Sequence, residues 1–266
     1  MFFRWVCLHL GIFGMTSAIA FVARVDQLAI TTTEVVNKLP PISTPKVTPN
    51  PVKNLFATSS SIGVVALCTA EGNCRPDGSK TKLYFGHADP SDGVTMNKGW
   101  CSNFGRGGDI SQADDGCLKR ANSRIPYLKN KMRSFGIPPE QNIEAFVNVV
   151  DVWNQAAFKA SDIFPQKYAQ AVSLGFRGQE AILWARVESF RNKKGQLSAG
   201  NAKVDDYGRF IRGSGLFGIC ANPRNDFYQK SLSAYPVMSE RWRWKCIAID
   251  QGRRMRAINS VLADTH

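Results

Sequence analysis

The stretch Ile62-Gly63-Val64-Val65-Ala66-Leu67-Cys68-Thr69-Ala70-Glu71-Gly72-Asn73 decides the reading of this chain. Three serines, Ser59 to Ser61, offer an N-cap just before it. Ile62, Val65, Ala66 and Thr69 share one face at helical spacing. Gly72 is the stop signal. The spacing predicts a helix from Ser60 or Ser61 to Ala70, with Glu71 at its end. A Lys or Arg suits the negative end of a helix better than a Glu. A residue that breaks a local rule points to function.

Downstream, residues 72–117 are dense in Asp, Gly and Pro and read as loop, with a short strand at Thr81 to Phe85. Helical spacing returns at Ile125, Leu128, Met132 and Phe135 and stops at Gly136. Pro138 and Pro139 open a clearer helix, whose apolar positions run from Ile143 through Phe146, Val150 and Trp153 to Phe158. Further helices are predicted from Gln166 to Leu174, Gln179 to Phe190 and Ile247 to Leu262. Residues 191–225 read as loop. The sum is a mainly α domain, α+β with at most a small sheet, carrying long loops.

Upstream, Trp5 to Ala23 contains no charged residue, and Ala18-Ile19-Ala20 fits a small-x-small cleavage site. Residues 1–23 read as a signal peptide or a signal anchor. An uncleaved leader would be the chain's link to a membrane. Residues 24–54, with Thr31 to Thr33 and five prolines from Pro40 to Pro51, read as a Pro/Thr-rich linker. The folded domain is expected from 55 to 266. The chain is therefore expected to be exported, to the periplasm, the cell envelope or the exterior.

Seven cysteines agree with export. Cys7 lies in the leader, which leaves Cys68, Cys74, Cys101, Cys117, Cys220 and Cys246. An even six in an exported chain predicts up to three disulfides. Neighbour pairing is the simplest of about 15 connectivities. The 34 Lys and Arg outnumber the 21 Asp and Glu, for a net charge of +13. That balance favours anionic partners: cell-wall polymer, anionic lipid or nucleic acid.

Elimination narrows the chemistry. The three histidines are His9, His87 and His266, so the domain cannot build a two- or three-His metal site. No G-x-S-x-G elbow, P-loop or dinucleotide fingerprint occurs. No metal or organic cofactor is implied. Carboxylate chemistry remains, and Glu71 is its first candidate. Partial burial and a helix C-terminus are conditions under which a carboxyl keeps its proton. A carboxyl that does so near neutral pH is what protonation of a glycosidic oxygen requires.

The run from Ile62 to Asn73 resembles the helix-then-Glu-Gly opening of the lysozyme-like superfamily, which includes phage-type lysozymes and lytic transglycosylases. Thr81, Tyr84 and Gly86-His87 are similar to the segment that follows the acid in phage-type lysozymes. The stretch through Asp89-Pro90 also resembles a group of uncharacterised secreted bacterial proteins. The resemblance implies a lysozyme-like single domain that cleaves peptidoglycan or another anionic cell-wall glycan, with Glu71 as general acid. It implies Asp77 as a second catalytic carboxylate and Thr81, Tyr84, His87 and Asp89 as substrate-binding residues. Asp77 stands six residues after Glu71, closer than the second acid of phage-type lysozymes. Asp89 and Asp92 are the other candidates for that role. Lytic transglycosylases need the acid alone.

Two alternatives stay open. The alternative to the enzyme is a non-catalytic envelope protein that binds glycan or a polyanion. Arg241-Trp242-Arg243-Trp244-Lys245 and Arg253, Arg254 and Arg256 would then supply a basic, aromatic face. Their plainer reading is a strand or loop with the tryptophans inward. Arg186-Val187-Glu188 reads as an exposed helix face.

Overall fold

A computed structural model describes residues 52, 54–88, 96–102 and 108–263, less the side chains of 157 and 158. The leader, most of the linker, Asp89 and Asp92 lie outside the described residues. The described residues, 52 to 263, fall in one compact unit. Val52 already belongs to its core, upstream of the expected start at Leu55.

The elements in chain order are α1 (Ile62–Glu71), a one-turn α2 (Lys82–Phe85), β1 (His87–Ala88), β2 (Met96–Asn97) and α3 (Ile110–Ser134). A 3-10 turn (Pro139–Gln141) leads into α4 (Ile143–Ser173) and α5 (Gly178–Glu188). A hairpin of β3 (Gly200–Val204) and β4 (Phe210–Ser214) precedes α6 (Gly215–Ala221), α7 (Asp226–Leu232) and α8 (Glu240–Ala263). Both sheets are antiparallel pairs. In the first, His87 faces Asn97; in the second, Asn201 faces Ser214. The domain is thus mainly α with two minimal sheets.

Several expected boundaries move for local reasons. The short strand at Thr81 to Phe85 is instead the α2 turn, and the strand pairing starts at His87. Helix α3 begins fifteen residues before Ile125. Asp109 caps it: the side chain accepts from the Gln112 backbone N–H, and the Gln112 side chain accepts from the Asp109 N–H. This capping box satisfies two end donors reciprocally. The helix then runs through Pro126, and α4 runs through Pro165, joining two predicted helices into one of 31 residues. An interior proline removes one backbone bond at a cost of about 3 kcal/mol. In α4 the buried apolar side chains on either side, among them Phe146, Val150, Phe164 and Ala171, outweigh it. The basic-aromatic run at 241–245 opens α8 rather than forming a strand, and Trp242 does point inward, 1% exposed.

Buried apolar side chains fall into two clusters. The larger joins α1, α3, α4 and the C-terminal half of α8 through Leu67, Leu128, Met132, Phe146, Phe164 and Ile258. The smaller gathers Val187, Leu197, Phe217, Leu232, Trp242 and Ile247 around β3, α6, α7 and the start of α8. Helix α8 spans both, apolar at each end and polar in the middle at Asp250, Gln251 and Arg254. No helix among the described residues is long and apolar enough to cross a membrane.

Three disulfides pair sequence neighbours: Cys68 with Cys74, Cys101 with Cys117, and Cys220 with Cys246. A cross-link acts by closing a loop in the unfolded chain, more for a longer loop. The 26-residue separation of Cys220 and Cys246 against the six of Cys68 and Cys74 ranks their effects. The C220S/C246S double variant is expected to lose about 3–4 kcal/mol and C68S/C74S about 2. Urea unfolding of the two variants checks the order, and a larger loss from the short loop would contradict it.

Candidate functional site

Glu71 is placed by the end of α1. Gly72 adopts φ 82°, a left-handed conformation that a side chain would strain. Its N–H donates to the Thr69 carbonyl, and the Asn73 N–H donates to Cys68 O at 2.9 Å. This double bond pattern is a Schellman end. The Cys68–Cys74 disulfide closes the same turn. Gly63, near the other end of α1, sits against the preceding segment: its N–H donates to Leu55 O, and a Cβ there would lie 2.5 Å from that oxygen. The turn carrying Glu71 is therefore fixed at both ends of its helix.

The Glu71 carboxyl lines a cleft of about 750 Å³ between the two apolar clusters. Arg254 Nη2 and Asn154 Nδ2 both donate to Oε1 at 2.7 Å. Oε2 has no hydrogen-bond partner among the described residues. A guanidinium from α8, which the sequence reading did not pair with Glu71, holds the carboxyl.

Behind Arg254 lies a buried charged network. Arg254 donates to Asp151 through Nε and Nη2 at 2.9 and 2.6 Å. Arg186 Nη2 donates to Asp151 Oδ2 at 2.6 Å. Arg186 also donates to Gln251 Oε1 and Asn148 Oδ1. Asp151 and Arg186 are fully buried. Burial raises the Asp151 carboxyl, but the two guanidiniums outweigh it and hold it below the usual carboxylate range. Arg254 is pushed up by Asp151 and Glu71 against the opposing effect of burial. Next to this network, Asp250 Oδ2 accepts from Gln155 Nε2 at 2.7 Å and Gln251 Nε2 at 2.9 Å. Asp250 also lines the cleft.

Of the residues expected at the site, Glu71 and His87 line the cleft. His87 Nδ1 donates to Leu83 O at 2.8 Å. Asp77 does not reach the cleft. Its Oδ1 accepts from the Ser79 N–H in an exposed turn, and its hydrogen bonds with Ser79 lower its carboxyl. Thr81 is a brace: its hydroxyl donates to Gly72 O at 2.8 Å. Tyr84 is corrected from a sugar platform to a core residue. It is 3% exposed, and its hydroxyl donates to Asp114 Oδ2. Burial first, and Asp114 next, push that hydroxyl well above its ordinary value. Tyr84→Phe would leave Asp114 Oδ2 buried without its donor, and is expected to lose about 1–3 kcal/mol on urea unfolding. No loss would show that water replaces the phenol.

The sequence reading missed Asn154, Asp151, Asp250 and the roles of Arg186 and Arg254. Arg186 is not on an exposed face, and Glu188 is buried with it. Arg254 does not belong to a basic surface. A signal existed. Asn148, Asp151, Asn154 and Gln155 recur at helical spacing inside the otherwise apolar stretch 145–158, and Asp250 and Arg254 stand one turn apart. A polar stripe on a buried helix demands partners.

No protein-family model matches the chain, and no curated protein or solved structure matches it.

Proposed function

We propose that the chain is an exported enzyme that cleaves β-1,4 glycosidic bonds between amino sugars of the bacterial wall, as a glycosidase or lytic transglycosylase, with Glu71 as general acid. One observation carries the reading. Glu71, at the fixed end of a helix, lines a cleft of about 750 Å³, with one carboxyl oxygen bonded and the other without a hydrogen-bond partner among the described residues. A proton on Oε2 would pass to the leaving oxygen, while Arg254 and Asn154 keep the carboxyl oriented. His87, which lines the same cleft, would hydrogen-bond a sugar hydroxyl. The three disulfides fit an oxidising compartment, and the +13 charge favours an anionic polymer.

The second reading is a non-catalytic envelope protein that binds glycan or a polyanion. The Glu71–Arg254 ion pair favours it, because a carboxylate so paired has a structural use of its own. Incubation of the purified, disulfide-intact protein with insoluble peptidoglycan separates the two. Mass spectrometry of the supernatant is expected to find muropeptides, with anhydro ends if the enzyme is a transglycosylase. Retention on the wall with no soluble fragment from several wall types would leave binding alone.

A further inference from the structure

Resting on the glycan-cleaving reading above, we infer that Asp250 is the second catalytic carboxylate, the base that activates the attacking water in an inverting hydrolysis. Asp77, the candidate from sequence, is held in an exposed turn outside the cleft. Asp250 lines the cleft with Glu71. Its side chain is 10% exposed, so it is shielded yet reachable.

The two carboxyls are held by matching pairs of supports. Asn154 of α4 donates to Glu71, and the next residue, Gln155, donates to Asp250. On α8, Arg254 donates to Glu71, and Asp250 stands one turn earlier. Four residues of helix rise about 6 Å. On α8, the residue that bears one carboxyl and the residue that supports the other thus stand about a helical turn apart. Inverting glycosidases separate their carboxyls by roughly 6.5–9.5 Å to admit a water, and retaining enzymes by only about 5–5.5 Å. Both donors to Asp250 at full hydrogen-bond distance go to Oδ2. Oδ1 has only a long contact to Arg253 Nη2, at 3.4 Å, and is the oxygen left for water.

The step balances. Glu71 gives its proton to the glycosidic oxygen as the C1–O bond breaks. The water oxygen bonds to C1 from the opposite face, and its proton passes to Asp250. Exchange with solvent returns the proton to Glu71.

The test uses the full chain with its disulfides and soluble, peptide-free β-1,4 amino-sugar glycan strands. The wild-type product, followed by proton NMR in the first minutes, is expected to be the α anomer. Asp250→Asn is expected to lower kcat about 10²–10⁴-fold with KM within a few-fold. Asp250→Ala with added azide is expected to regain turnover and yield an α-glycosyl azide. A β anomer, anhydro ends, or an Asp250→Asn variant within about threefold of wild type would overturn the assignment and leave Glu71 in place. Cleavage of no strand or wall by the wild type would overturn both. The anomer of the wild-type product answers without a variant, should Asp250→Asn fail to fold.

Discussion

Glu71→Gln is expected to lose about 10²–10⁴-fold in glycan cleavage while unfolding within about 1–2 kcal/mol of the wild type. General acid catalysis sets the first magnitude, equivalent to roughly 3–5 kcal/mol of barrier. The second follows from the surroundings of the side chain. Gln keeps an oxygen that can accept from Asn154 and Arg254, so neither donor is stranded. Arg254 keeps both of its bonds to Asp151, so its charge stays compensated. The open oxygen is the one that changes, and an amide nitrogen there has no acidic proton to transfer. Glu71→Ala removes both acceptors and should cost more stability, which makes it the poorer control. Release of soluble muropeptides and thermal unfolding, measured on the same preparations, check the split. Activity within about threefold of wild type would remove Glu71 from the mechanism. A large loss of stability without a specific loss of activity would make it a structural ion-pair partner.

The parts of this site that were legible from sequence are the local ones. The apolar face at Ile62 to Thr69 and the Gly72 stop gave α1 and put Glu71 at its end. The even cysteine count pointed to up to three disulfides, and the pairing left open by sequence is the neighbour one. What stayed hidden is the partnership of distant charges. Arg186 and Asp151 are 35 residues apart, Arg254 and Asp151 are 103, and Arg254 and Glu71 are 183. Charged residues are rarely buried unless paired, so each arginine taken alone reads as surface. Only the fold supplies the pair. Tyr84 is a similar case: at a predicted strand position it can face either a sugar or the core, and its buried partner Asp114 lies thirty residues on. The start of α3 is different, because the Asp109 and Gln112 capping box was present in the sequence and was outweighed by the Gly-rich run before it.

Asp151→Asn is expected to be the most destabilising single change in the site, although Asp151 does not line the cleft. Asp151 accepts from two guanidiniums with no exposed surface of its own. Removing one partner of a buried pair costs about 3–5 kcal/mol, because the remaining charges are left uncompensated. For a domain of this size that is a fall of roughly 10 °C in Tm. The effect has a pH signature with a definite sign. The folded carboxyl is held below its ordinary value, despite burial, by Arg254 and Arg186. Its contribution is therefore fully present above the unfolded carboxylate pKa of about 3.9. It is lost as pH falls through the lower folded value. Urea unfolding of wild type and variant at pH 7 and again near pH 3 should show the gap between them narrowing in acid. A gap below about 1 kcal/mol at pH 7 would mean that the two arginines find other partners. The same variant tests how far the site depends on its foundation. Without Asp151, Arg254 keeps Glu71 as its one anionic partner among the described residues and loses the two bonds that aim its guanidinium. Cleavage should then fall even at temperatures where the variant remains folded, because the carboxyl that Arg254 orients is no longer held in one place.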